Sequence, residues 1–163
     1  MNESIVDSGR NTENDYLDFK VGFMSTVSIS KNKLEWSLFG LRLGVFIVFL
    51  MWTLDKFVNP GHAAVVMKVF YSVPNLSENI AYALGVAQLA LVISFLIGFQ
   101  KRWATLIILI MHLSSTLVSF GRYMDPWGPS NLLFFAAWPM LAATITLYLL
   151  REYDTKFSLG KAA

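Results

Sequence analysis

The chain has 163 residues, 55% of them hydrophobic and only 15% charged, with a formal net charge of +2 and no cysteine. Soluble domains are nearer 45–50% apolar and about 25% charged, so this balance points to lipid as the solvent. It excludes a basic face for nucleic acid, a disulfide framework, thioether-attached haem and thiolate-held iron–sulfur clusters.

Five of the eleven acidic residues precede Phe19. The first 35 residues contain no apolar run long enough for a signal peptide and read as a partly disordered cytosolic tail. Within that tail, "YLDFKVGFMSTVSI" (Tyr16–Ile29) is a candidate for lying on the membrane surface.

A bilayer core of about 30 Å needs roughly 20 mainly apolar helical residues. Four segments meet that length: about Trp36–Leu54, Ile80–Phe99, Trp103–Phe120 and Leu132–Leu150. Backbone polar groups in lipid must bond internally, and no alternating barrel pattern is present, so helices are expected. The predicted fold class is all-α: a four-helix transmembrane bundle over residues 36–150, followed by a cytosolic tail over 151–163.

The first span ends in "MWTLDKFVNPGHAA" (Met51–Ala64), where Asn59-Pro60-Gly61 stops the helix. "HAAVVMKVFYS" (His62–Ser72) is too short to cross and suits a helix lying at the interface. Pro74 then breaks it, and Ser77 is placed to cap the second span. On the second helix Ala81 and Gly85 form a small-residue packing face, with Gln88 beyond, and "GFQKRW" is a minimal turn to the third helix. In the fourth span Ala136, Ala137, Ala142 and Ala143 offer another small-residue face. Pro139 there is expected to kink the helix and free a carbonyl.

Lysine and arginine near span ends set orientation. Lys20, Lys31, Lys33, Lys101, Arg102, Arg151, Lys156 and Lys161 fall on one side, and Lys56, Lys68 and Arg122 on the other. Both termini are therefore expected in the cytoplasm of a cell membrane, with Asp55–Ser77 and Gly121–Ser130 facing outward.

Ionisable groups within a span cost about 2.5–3.5 kcal/mol on insertion scales and need partners or a purpose. Arg42 has two open readings: snorkelling to lipid phosphates near Glu35, or an inward partner such as Gln88 or a bound head group. On the third span His112, Ser115, Ser119 and Arg122 share one face, flanked by Thr116 and Tyr123. That stripe is either interhelical hydrogen bonding or a functional lining and candidate proton relay.

At the outward end, Trp52, Asp55, Lys56 and Asn59 lie on one helical face with His62 in the turn after it. "GRYMDPWGPSN" adds Arg122, Tyr123, Asp125 and Trp127, and Asp55–Arg122 and Lys56–Asp125 are candidate charge pairs. The group is either an aromatic belt with anchoring charges or a pocket for a polar head on an apolar molecule. Two histidines and isolated carboxylates do not make a zinc set, so no metal is expected. No nucleophile elbow or glycine-rich phosphate loop is present, and no catalytic residue is assigned.

"LRLGVFIVFLMWTLDKFVNP" (Leu41–Pro60) resembles the first helix of DoxX-like membrane proteins in Arg42, Gly44, Phe46, Phe49, Lys56-Phe57 and Pro60. "IAYALGVAQLALVISFLIGFQKRWATLIILIMHL" (Ile80–Leu113) is similar to that family's second and third helices, and the resemblance covers about residues 36–150. Relatives often carry a glutamate where this chain has Gln88. The resemblance implies a four-helix bundle linked to redox metabolism, the family including the DoxD-type subunit associated with thiosulfate:quinone oxidoreduction and proteins grouped with oxidative-stress enzymes.

The expected function is that of an integral membrane subunit of such an assembly rather than an enzyme by itself. No cofactor is covalently bound, and the outward cluster would take a quinone, an anion or a protein partner. The chain would work with a redox subunit or as a homo-oligomer. The alternatives are a non-catalytic membrane chaperone or assembly factor, and an oligomeric transporter lined by the His112 stripe.

Overall fold

The computed structural model describes residues 30–74 and 76–160, so the predicted surface segment at Tyr16–Ile29 lies outside the described residues. Among the described residues the chain is helical with no strand. Helix α1 runs Lys31–Val58, starting five residues before the expected span. Its 28 residues extend about 42 Å at 1.5 Å per residue, more than a bilayer core requires.

Helix α2 covers Pro60–Tyr71, with Pro60 in the first turn, where its missing N–H has no intrahelical partner to lose. It ends on Ser72 in the left-handed region, whose N–H returns to the Met67 carbonyl. Helix α3 covers Glu78–Leu96, and the Ser77 side chain caps it by accepting from the Ile80 N–H at 3.4 Å. Helix α4 (Lys101–Val118) and the short α5 (Phe120–Met124) follow.

A 3-10 turn over Asn131–Ala136 then leads into α6 (Ala137–Leu149). The expected continuous fourth span is thus two windings. Pro139 lacks the N–H that would bond the Phe135 carbonyl, and the tighter 3-10 winding occupies the stretch just before it.

Among the described residues three stretches are long and apolar enough to cross a membrane: Lys31–Val58, Glu78–Leu96 and Asn131–Leu149. Helix α4, the expected third span, is not among them. Its face carries Thr105, His112, Thr116 and the following Ser119 inward, all buried. The packing order is α1 on α3, α3 on α4, α4 on α6 and α6 on α1. Leu38, Val45, Phe49, Val92, Ile108 and Leu147 form the shared core, while Ile47, Met51, Val86, Ile110 and Leu149 stay exposed on outer faces. Apolar surface of this kind suits a lipid bilayer.

The small-residue face of α3 is used as expected. A Cβ on Gly85 would lie 2.8 Å from the Phe57 ring, so α1 and α3 touch only because a hydrogen stands there. In the fourth stretch Ala136, in the 3-10 turn, and Ala142, on α6, remain exposed, while Ala143 packs against the core.

Beyond α6 the segment predicted as a cytosolic tail folds back on the helices. The N–H groups of Leu159 and Gly160 donate to the carbonyls of Ile97 and Gly98 at 2.8 and 3.1 Å. Phe157 packs on Phe39 and Trp36, with ring centroids 5.0 and 6.0 Å apart. Gly98, at φ +63°, makes this closure possible, because a Cβ there would collide with the Ser158 side chain and stand 3.0 Å from Arg42 Nη1. Gly98→Ala is expected to cost at least about 1–2 kcal/mol from the left-handed backbone alone. Its measure is a lower Tm in detergent, together with faster proteolysis within residues 151–160.

Candidate functional site

Three places gather the polar side chains picked out by sequence. At the junction of α1 and α2, Asn59 breaks the helix and the turn brings His62 back over the last turn of α1. His62 Nδ1 lies 2.7 Å from Asp55 Oδ2, and Asn59 Nδ2 donates to Asp55 Oδ1 at 3.2 Å. Trp52 stacks on the imidazole with centroids 6.1 Å apart and planes 23° off parallel. With Nδ1 tied to the carboxylate, Nε2 has no hydrogen-bond partner among the described residues, and the His62 side chain is 51% exposed. Lys56 belongs to the same face but turns back, its Nζ donating to the Trp52 carbonyl at 3.0 Å.

The second cluster lies after α4. Arg122 Nη1 donates to Asn131 Oδ1 at 3.3 Å, and the guanidinium sits 5.7 Å from the Phe70 ring centre and 5.9 Å from that of Phe134. Asn131, buried, also donates to the Asp125 carbonyl at 2.8 Å and so holds the loop closed. Tyr123 is buried between Phe135 and Trp138. Its hydroxyl has no partner among the described residues, and burial pushes the phenol up from its ordinary range. Trp127 is 85% exposed.

The expected pairs Asp55–Arg122 and Lys56–Asp125 do not form. Asp55 takes the closer His62, presented seven residues on by the turn, and Arg122 is satisfied by an amide and two aromatic faces. The predicted outward cluster is therefore two, one built on α1 and α2, the other on the α4–α6 connection.

The His112 stripe resolves into internal bonding. His112 Nε2 donates to the Ala137 carbonyl at 2.9 Å, tying α4 to α6 two residues before Pro139. Ser115 and Thr116 both donate to the His112 carbonyl, and Ser119 to that of Ser115, so these hydroxyls are spent on their own helix. The helix also breaks at Ser119, which separates Arg122 from the stripe.

Arg42 turns inward, to a partner the sequence did not suggest. It is 1% exposed, so it does not snorkel, and Gln88, half-buried on α3, is not its partner. Its Nη1 lies 3.2 Å from Asp154 Oδ2, and its Nη2 donates to the Lys156 carbonyl. Lys101 Nζ donates to the Asp154 carbonyl at 2.7 Å. Burial pushes the Asp154 carboxyl up, while Arg42 and Lys101 pull the other way. Glu35, expected near Arg42, instead accepts from Thr155 Oγ1 at 2.6 Å.

Sequence reading missed Asp154 and Asn131. The signal for the first was present: a buried arginine needs an anion, and "REYDTKF" carries two acids directly after the last span. Among the described residues no three histidine or acidic side chains stand close enough to share a metal ion. Comparison of the chain with family models, with curated proteins and with solved structures finds no match.

Breaking a buried ion pair by removing one partner costs about 3–5 kcal/mol, because the other charge is left alone. Asp154→Leu is therefore expected to lower Tm sharply, and the double variant Arg42→Met with Asp154→Leu to recover most of the loss. Thermal melts of the three proteins in one detergent check this, and equal melting of single and double variants would contradict it.

Proposed function

We propose that this chain is a small integral membrane subunit of a quinone-linked redox assembly, with its binding site at the end formed by Trp52, Asp55 and His62. The observation that carries the reading is the 2.7 Å contact between Asp55 Oδ2 and His62 Nδ1 beneath the stacked Trp52 ring. Fixing Nδ1 leaves Nε2 as a directed partner for a carbonyl or hydroxyl, and the indole supplies a flat apolar wall. A head group with oxygen on an aromatic ring and an apolar tail in lipid matches both features. A bound quinone would supply two-electron redox chemistry that none of the side chains here provides.

In this reading α1, α3, α4 and α6 form a four-helix transmembrane bundle, α4 crossing with its polar face turned inward. The termini lie in the cytoplasm, and the His62 end faces outward. The DoxX-like resemblance of Leu41–Pro60 supports the family and the redox setting, with Arg122 and Trp127 then placed on the same outward side to meet a partner protein. Asp55 orients the imidazole, His62 exchanges the hydrogen bond or proton with the head group, and Trp52 excludes water from one side.

Quenching of tryptophan fluorescence by a short-chain quinone, titrated into the protein in nanodiscs, tests this. The expected outcome is saturable quenching, mostly lost in Trp52→Phe. Loss of a charge-assisted hydrogen bond corresponds to roughly tenfold or more in affinity, the expected weakening in His62→Phe and Asp55→Asn. Unsaturable quenching, or variants that titrate like the parent, would refute the site.

A further inference from the structure

The opposite end of the molecule holds a hollow that the His62 reading does not use. It has a volume of about 390 Å³ and lies between the α3–α4 turn and the returning C-terminal segment. Small-molecule sites usually begin near 300 Å³. Lys101, Arg102 and Arg151 line it against a single acid, Glu152, and Trp103 and Leu159 stand at its edge.

The three cations are committed to different degrees. Lys101 is held by the Asp154 carbonyl. Arg151 donates one Nη to the Tyr148 carbonyl at 2.8 Å and faces Glu152 at a loose 3.6 Å. Arg102 is exposed, makes no ion pair among the described residues, and leans 5.6 Å from the Trp103 ring. The hollow therefore carries a net positive charge that internal pairing does not absorb. Gln100, at the head of α4, provides no side-chain cap, so the N–H groups of Lys101 and Arg102 add to the same field, that of Trp103 being bonded to the Gln100 carbonyl.

The rim is apolar. Phe99, Trp103 and Leu159 are 52%, 57% and 76% exposed. A soluble anion would have no use for those surfaces, whereas a phosphate attached to acyl chains would lay the chains against them. Tryptophan beside arginine at a helix end is also the arrangement that sits at the head-group level of a bilayer. Basic hollows between helix ends take anionic phospholipid heads by charge and by fork-shaped hydrogen bonding from arginine.

We infer that this hollow binds one anionic glycerophospholipid, its phosphate held by Arg102 and Arg151 and its acyl chains along Phe99, Trp103 and Leu159. The lipid would bridge the α3–α4 turn to the segment that carries Asp154, adding a tie from outside to the internal closure. The inference needs only a membrane setting, and its test does not involve the His62 end, so either site can fail without the other.

The experiment is native mass spectrometry of the full chain released from nanodiscs of phosphatidylglycerol mixed with phosphatidylcholine, with thermal melts in the same mixtures. One phosphatidylglycerol retained per chain, and a Tm raised relative to pure phosphatidylcholine, are expected. Arg102→Gln with Arg151→Gln should weaken retention by about tenfold or more. Arg102→Gln alone, at an exposed side chain outside the closure, should show a smaller loss with unchanged helical content. Lys33→Gln removes a charge from α1 outside the hollow and should leave retention unchanged. Equal retention of the two lipids, or an equal loss in Lys33→Gln, would overturn the inference. A Tm rise of the same size with glycerol phosphate alone would overturn the lipid assignment in favour of a soluble phosphate compound.

Discussion

Everything at the Asp154 end rests on one guanidinium that cannot reach water. Arg42 points into the bundle beside Gly98, and burying it uncompensated would be intolerable beside the modest net stability of a chain this size. Its compensation arrives from residues 154 and 156, which no helix supplies. The left-handed turn at Gly98, the backbone bonds from Leu159 and Gly160, and the Phe157–Phe39–Trp36 packing all serve to hold that carboxylate in place. The segment after α6 is thus the fifth wall of the helical unit rather than a tail.

The two ends differ in how charge is treated. Around Arg42 the guanidinium and the Asp154 carboxylate are both buried and face each other at 3.2 Å, which fixes geometry and resists change. Around His62 the acid and the imidazole are paired yet partly in the open, with Trp52 stacked beside the ring. Rigid pairing suits a structural role, and exposed pairing suits exchange with a ligand. A single polar contact across the middle, His112 to the Ala137 carbonyl, keeps α4 and α6 in register between them.

Much of the fold was legible because hydrophobic length is a direct physical requirement of lipid. The α1, α3 and α6 stretches, the break at Asn59-Pro60, the short α2 and the Ser77 cap were all readable from local pattern. Helix α4 was readable as a helix, yet Lys101 and Arg102 in its first turn, with His112 on its inward face, lower its mean hydropathy. What stayed hidden depended on contacts far apart in sequence. Asp154 looks like any acid in a charged tail until the turn at Gly98 is known. The choice of His62 over Arg122 by Asp55 depends on how tightly the chain reverses at Asn59. Composition could name the members of the polar cluster but not divide it into two.

The separation of Arg42 from its partners has a consequence for biosynthesis. Lys156 lies 114 positions after Arg42. At about 5–20 residues per second, α1 waits roughly 6–23 s between its own synthesis and the arrival of the groups that neutralise it. Throughout that interval nascent α1 carries an unmatched positive charge eleven positions after Lys31 and nine after Lys33. The Arg42–Asp154 pair is therefore among the last contacts the chain can complete during synthesis.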